Sequence, residues 1–218
     1  MNEPRTIRVT GKGMIRLKPD TTQVTMTLNG ISAVYAETLA RSASDTEQIR
    51  SALAQIGFSR DDLKTLSFRV EPEYEGYQEE GVYKQRLVGY RFLHEMKIGF
   101  PSDNERLGQV LSALAATELA PEFQIGYTVK DREAAKNALI GMAVADAKAK
   151  AAALTDAAGV KLLGIRHIEY SLRDVGLEVR PVLYAGMKRA ANADGFSPEI
   201  VPEEITAEDT VTIDWEIE

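Results

Sequence analysis

The chain has two histidines, His94 and His167, and no cysteine, which leaves little room for a multi-His metal centre. Thiolate nucleophiles, disulfides, iron–sulfur clusters and Cys-type zinc sites are excluded outright. Neither histidine has a second one at metal-ligand spacing. His94 falls at an even position of an apolar strand face and is expected to be structural, while His167 opposes the apolar face of its strand. Nucleophilic catalysis needs serine, histidine and carboxylate to converge, and no local motif supplies them; a triad from distant segments stays open. Gly11-x-Gly13 has the glycines of a phosphate-binding turn. It joins two strands and no GK[ST] follows, which favours a tight hairpin turn. Glu71, Glu73, Glu75, Glu79 and Glu80 offer hard oxygen ligands for calcium or magnesium. They lack the spaced Asp/Asn and turn glycine of a loop-type site, so a solvated hairpin tip is the better reading. No catalytic residue, metal ligand or cofactor is assigned.

Surfaces for contact are easier to find. Tyr74, Tyr77 and Tyr83 interleave with the glutamates of 71–80, and tyrosines amid charge are common in protein contact surfaces. A long irregular segment, 176–208, exceeds the roughly 12–15 residues of a structureless connection and carries Tyr184, Met187 and Phe196. These six residues form the candidate interaction surface. Arg8, Lys12, Arg16 and Lys18 line one face of the first strands as a candidate electrostatic contact. The charge map suggests what they meet. The chain has 33 acidic and 26 basic side chains, a net of −7. Residues 199–218 hold eight of the acids and no base; without them 25 acids and 26 bases remain, a net of +1. Removing the five glutamates of 71–80 leaves 20 against 26, a net of +6. The basic face is expected to match these acidic segments, in the same or a neighbouring subunit.

The elements that must position these residues follow from periodicity. Thr6–Thr10 and Met14–Lys18 read as two short strands around the glycines, and Thr22–Ile31 as a third. Ser32–Ile56 reads as a helix with Tyr35, Leu39, Ile49, Leu53 and Ile56 on its stripe, widened by Ala36, Ala40 and Ala43, and ended by Gly57. A strand through Leu66, Phe68 and Val70, a polar hairpin loop over Glu71–Tyr83, and a returning strand from Arg86 to Phe100 come next. Ser102–Glu105 has capping-box spacing, opening a helix over 102–119. After a strand through Phe123 to Val129, Asp131 caps a long alanine-rich helix to Ala158 that Gly159 ends. That helix is expected to pack on its own sheet. Ile165–Val175 and Thr210–Ile217 read as the last strands. The order gives two βαββ-like halves, 1–100 and 120–218, joined by the 102–119 helix, with the first two strands of each half parallel through a crossover. Chance accounts for such a match about as well as duplication does.

Several stretches resemble the SIMPL-domain family: IRVTGKG followed by KPDTTQVTMTL, IGFSRDDLKTLSFRVEPEY, VGYRFLHEMKIGF, AVADAKAKAAALTDAAGVKLLGI and PEEITAEDTVTIDWEI. Their order spans the chain from about Ile7 onward. The resemblance implies a single SIMPL domain over 1–218 and an α+β (mixed α/β) fold with mostly antiparallel sheets and helices packed on them. It further implies a bacterial envelope or periplasmic setting, large oligomers in some relatives, a link to oxidative stress in others, and no catalytic motif or cofactor to carry over. Met1–Thr10 lacks the apolar region of a secretory signal. As written the chain is expected in the cytoplasm, or in the periplasm if a signal has been removed. No stretch approaches a membrane span.

The expected function is non-catalytic, through self-association as a homo-oligomer or through a protein partner. One alternative is a hydrolase or metal-dependent enzyme with a dispersed carboxylate/His site. Another is weak nucleic-acid binding through Arg8, Lys12, Arg16 and Lys18, disfavoured by the negative net charge and the absence of interleaved aromatics.

Overall fold

The computed structural model describes residues 5–119, 121–171, 175–179 and 200–218. Among them the chain runs β1 (Thr6–Leu17), β2 (Thr21–Ser32), α1 (Tyr35–Gln55), a 3-10 turn (Arg60–Asp62), β3 (Lys64–Glu79) and β4 (Val82–Pro101). It continues through α2 (Asn104–Ala115), β5 (Glu122–Thr128), α3 (Arg132–Ala158), β6 (Leu162–Glu169), β7 (Glu178–Val179) and β8 (Ile205–Ile217). The strands form two sheets, ordered β1-β8-β6 and β3-β4-β2-β5-β7. The pairs β1/β8, β6/β8, β2/β4 and β3/β4 are all antiparallel, giving an α+β fold. The backbone gathers into two compact units. One holds β1, α3, β6 and β8, and the other holds β2, α1, β3, β4, α2 and nearly all of β5.

In the first half β2 and β3 do run parallel, both antiparallel to β4, but they are not neighbours, and the second half does not follow the pattern. β4 lies between β2 and β3, and β5 belongs to a different sheet from β6 and β8. A two-residue turn at Glu80 (φ 51) and Gly81 (φ 79) explains the first case. Two successive positive-φ residues match the twist of a tight hairpin, so β4 takes the place beside β3 and leaves its other edge for β2.

In the first unit β1 is one unbroken strand, not two strands around a glycine turn. Its register with β8 runs residue for residue from Thr6↔Glu216 to Leu17↔Ile205. Gly11 and Gly13 are there for α3 instead. A Cβ on Gly11 would fall on the Ala143 carbonyl and the Ala147 nitrogen, and one on Gly13 on the Leu139 carbonyl. The inward residues of α3 are Ala135, Leu139, Ala143, Ala147, Ala151 and Thr155, strictly four apart. Four residues advance about 40° past a full turn, so this stripe winds around the helix as the strands beneath it twist. Val9, Val211, Ile213 and Trp215 complete that core. The caps of α3 are those expected: the Asp131 side chain accepts from the Ala134 N–H, and Gly159 is left-handed. β6 starts and stops earlier than the periodicity predicts, because its register follows β8 from Leu162↔Ile217 to Glu169↔Thr212.

In the second unit α1 and α2 cover Val24, Met26, Leu28, Phe92, Met96 and Ile98 of β2 and β4. The inner face of α1 departs from expectation. Thr38, Ser42, Asp45 and Thr46 are buried with Ile49 and Leu53, whereas Tyr35 and Leu39 are exposed. The strand below offers a polar partner there: the Thr38 hydroxyl is shared between the Tyr90 carbonyl of β4 and the Val34 carbonyl one turn back. Tyr35 packs edge-on against Tyr90 with ring centroids 5.4 Å apart. The N-cap of α2 is Asp103, accepting from the Glu105 N–H, and not Ser102, whose hydroxyl lies 3.2 Å from that of Thr22.

Candidate functional site

The expected polar loop over Glu71–Tyr83 is strand. β3 continues to Glu79 and β4 begins at Val82, with Tyr77↔Lys84 and Glu79↔Val82 still in register. β2 stops pairing at Ser32↔Tyr90, so residues 72–89 form a ribbon whose two strands bond only to each other. Alternation gives the ribbon two different faces. One carries Glu73, Glu75, Tyr77 and Glu79. Arg91 grips Glu73 through two bonds of 2.9 Å, Arg86 reaches Glu75 at 2.7 Å, and Lys84 reaches Glu79 at 2.7 Å. The Arg91 hydrogen bonds hold the Glu73 carboxyl below its usual range. The acidic run is therefore neutralised locally by its own partner strand.

The opposite face carries Tyr74, Gly76 and Gln78 of β3 against Leu87, Gln85 and Tyr83 of β4. Tyr74 (57% exposed), Tyr83 (70%) and Leu87 (49%) have no layer over them among the described residues. The Tyr83 ring lies across Gly76, where a Cβ would meet its hydroxyl. A register shift between Glu73 and Tyr74 leaves Val88 without a cross-strand partner, while on its turn side the strands pair residue for residue from Glu79↔Val82 to Tyr74↔Leu87 and alternation decides the faces. The three tyrosines thus separate: Tyr74 and Tyr83 share the apolar face, and Tyr77 stands under the Arg86 guanidinium, 5.8 Å from its ring centroid. The periodicity does not single out Leu87, although its place four residues after Tyr83, on the same face of a strand, was the available signal. Tyr184, Met187 and Phe196 lie outside the described residues.

The basic residues of β1 point to the sheet face away from α3. Arg8 meets Asp214 at 2.7 and 3.0 Å, and its hydrogen bonds hold that carboxyl low. Lys12 meets Glu208 at 2.7 Å. Both partners belong to the acidic 199–218 segment of the same chain. Arg16 and Lys18 are exposed beside them, Arg16 opposite Thr206. α3 also reaches the β1 edge: the Lys12 N–H donates to Asp146 at 2.7 Å, and Lys150 bonds Asp146 at 2.7 Å and the Thr10 carbonyl at 3.4 Å.

His94 is buried between α1 and β3. Nδ1 lies 3.1 Å from the Thr46 hydroxyl and Nε2 2.9 Å from that of Thr65. Thr46 already donates its only proton to the Ser42 carbonyl at 2.7 Å, so it accepts from Nδ1–H, and Thr65 donates to Nε2. Phe68 closes the pocket edge-on at 5.2 Å. Burial, reinforced by Arg50, pushes the His94 pKa down. His167 is exposed and faces Asp214 in register. Among the described residues no three His, Asp or Glu side chains converge as a metal-ligand set, and no helix is long and apolar enough to cross a membrane.

Comparison with protein families gives a match over almost the whole chain. The family named SIMPL, described as protein of unknown function (DUF541), aligns with residues 7–215. No curated protein matches the chain.

Proposed function

The chain belongs to the SIMPL family, and from that premise we propose that it works without catalysing a reaction, as a protein-contact module that first binds another copy of itself through the ribbon of residues 72–89. The observation that carries this reading is the uncovered face of Tyr74, Tyr83 and Leu87 on a ribbon whose charged face is already satisfied within the chain. A two-stranded hairpin alone is marginal in water, so a covering layer on its apolar face would stabilise it. Two such faces related by a two-fold axis complement each other, because each brings the same aromatic and aliphatic residues to the contact.

Size-exclusion chromatography with light scattering tests the proposal. At tens of micromolar the chain should exceed the 24.0 kDa of one copy. The variant Tyr74→Ser/Tyr83→Ser/Leu87→Ser should return to single-copy mass with unchanged circular dichroism. A wild-type chain of single-copy mass under these conditions would sink the reading.

A further inference from the structure

A second surface is concave. Between α1 and α2 runs an open groove of about 880 Å³, bounded by Ser44 to Ile56 on one side and Glu105 to Glu118 on the other. At 1.5 Å per residue each wall is about 18–20 Å long, the length of a helix of roughly 12–14 residues. The floor is small: Ala52, Gly108 and Ala113 let another backbone approach closely. The rim is long and hydrogen-bonding, with Gln48, Gln55 and Gln109 beside Glu47, Glu105 and Glu118; among the described residues no lysine or arginine lines the groove, and Arg106 stands at its margin, donating to the Ile56 carbonyl and to Gln109. Glu47 is taken by Arg60 at 2.6 and 2.8 Å. Glu105 and Glu118 have no ion pair among the described residues.

We propose that the α1–α2 groove receives an amphipathic helix of a partner protein, with a small apolar face toward Ala52, Gly108 and Ala113 and lysine or arginine flanks toward Glu105 and Glu118. A helix suits walls that are themselves helices, because it satisfies its own backbone groups. An extended strand laid there would find no carbonyl or N–H to pair with. Charge selects the kind of helix. Two-fold contact with a second copy's groove would bring Glu105 and Glu118 against acidic rims like their own, which is repulsive, whereas a cationic helix gains from both carboxylates. The site is separate from the ribbon and stands or falls independently of self-association.

The test uses the full chain and three fluorescein-labelled 14-residue peptides. One has a Leu/Ala face with Lys flanks, one replaces each Lys by Glu, and one breaks the Lys peptide with a central proline. Fluorescence anisotropy at low salt should show the Lys helix binding at least tenfold more tightly than either control. Ala113→Trp, which fills the floor, should reduce that binding at least tenfold. Glu118→Lys, beyond the last turn of α2, should weaken it severalfold and serves as the readout if Ala113→Trp does not fold. Equal binding of the Lys and Glu peptides overturns the proposal, as does binding untouched by Glu118→Lys. Loss of wild-type oligomer mass in Ala113→Trp would make a second copy the occupant, and would likewise overturn it.

Discussion

His94 shows how one hydroxyl can fix a protonation state. Because Thr46 spends its proton on Ser42, the imidazole keeps its own on Nδ1 and offers Nε2 to Thr65. Its pKa is held below the ordinary 6.5 by burial and then by Arg50. The unfolded chain therefore takes up this proton at a higher pH than the folded chain does. The stability it contributes is complete above about pH 6.5 and falls as the pH drops from there toward the folded pKa. Carboxyls with lowered pKa, such as Glu73 and Asp214, act in a separate window below their ordinary 4.5 and 3.8. His94→Gln, which keeps a donor and an acceptor, should flatten the fall of thermal midpoint between about pH 7 and pH 5 and leave the more acid limb in place. An unchanged slope would assign the fall to another group. That His94 faces inward was legible from its even position among Phe92, Met96 and Ile98. Its partners were not, since Thr46 and Thr65 lie 48 and 29 residues away in the chain and nothing local marks them. The separation of Tyr77 from Tyr74 follows from strand alternation once 71–79 is strand, and Tyr83 joins Tyr74 because the two-residue turn sets Gln78 opposite Tyr83.

Elements were legible where one periodicity acted alone, and misread where a second demand overrode it. α3 is the clear case, with both caps visible in Asp131 and Gly159. Gly11 and Gly13 were visible as glycines, but two opposite needs produce the same spelling. A tight turn wants freedom of φ, whereas a strand under a helix wants no Cβ. The helix that decides between them lies more than a hundred residues away. Gly11→Ala should cost about 1–3 kcal/mol or more, because the methyl meets α3 backbone that has no rotamer to yield. Chemical denaturation measures this, and a variant within 0.5 kcal/mol of wild type would mean that α3 shifts freely. α1 departs in the other direction: its apolar residues predict an amphipathic stripe, while its first two turns bury Thr38 and Ser42, with Thr38 bonded to the β4 carbonyl of Tyr90. The stretch Glu71–Tyr83 reads as a polar loop, with Pro72, Gly76 and Gly81 in it, although its glutamates at 71, 73 and 75 already alternate with the period of a strand.

At the scale of the whole molecule, the sheet edges are guarded, and this bears on how copies can meet. β3 carries Pro72, which has no N–H to offer, and its row of glutamates. β6 is interrupted by two register shifts, and β7 is only two residues long. On β1 the Asp146–Lys150 pair occupies one edge N–H and one edge carbonyl, as a neighbouring strand would. The self-association proposed above is one of faces, such as that of Tyr74, Tyr83 and Leu87, and does not need an open edge. Asp146→Ala/Lys150→Ala should reopen β1 and raise thioflavin fluorescence on mild heating severalfold over wild type. Equal fluorescence would show that the pair is dispensable for protecting the edge. The pairing of β1 with β8 carries a further consequence, for the order of folding. Almost two hundred residues separate Leu17 from Ile205, and the strands of the other unit are all made in between. On the ribosome, β1 stays without its partner through nearly the whole of synthesis, while β2 to β5 can already close on one another. The three-stranded sheet is a late, slow step that depends on a long-range encounter. For that interval, the strand that Asp146 and Lys150 later shield is the one most in need of a chaperone.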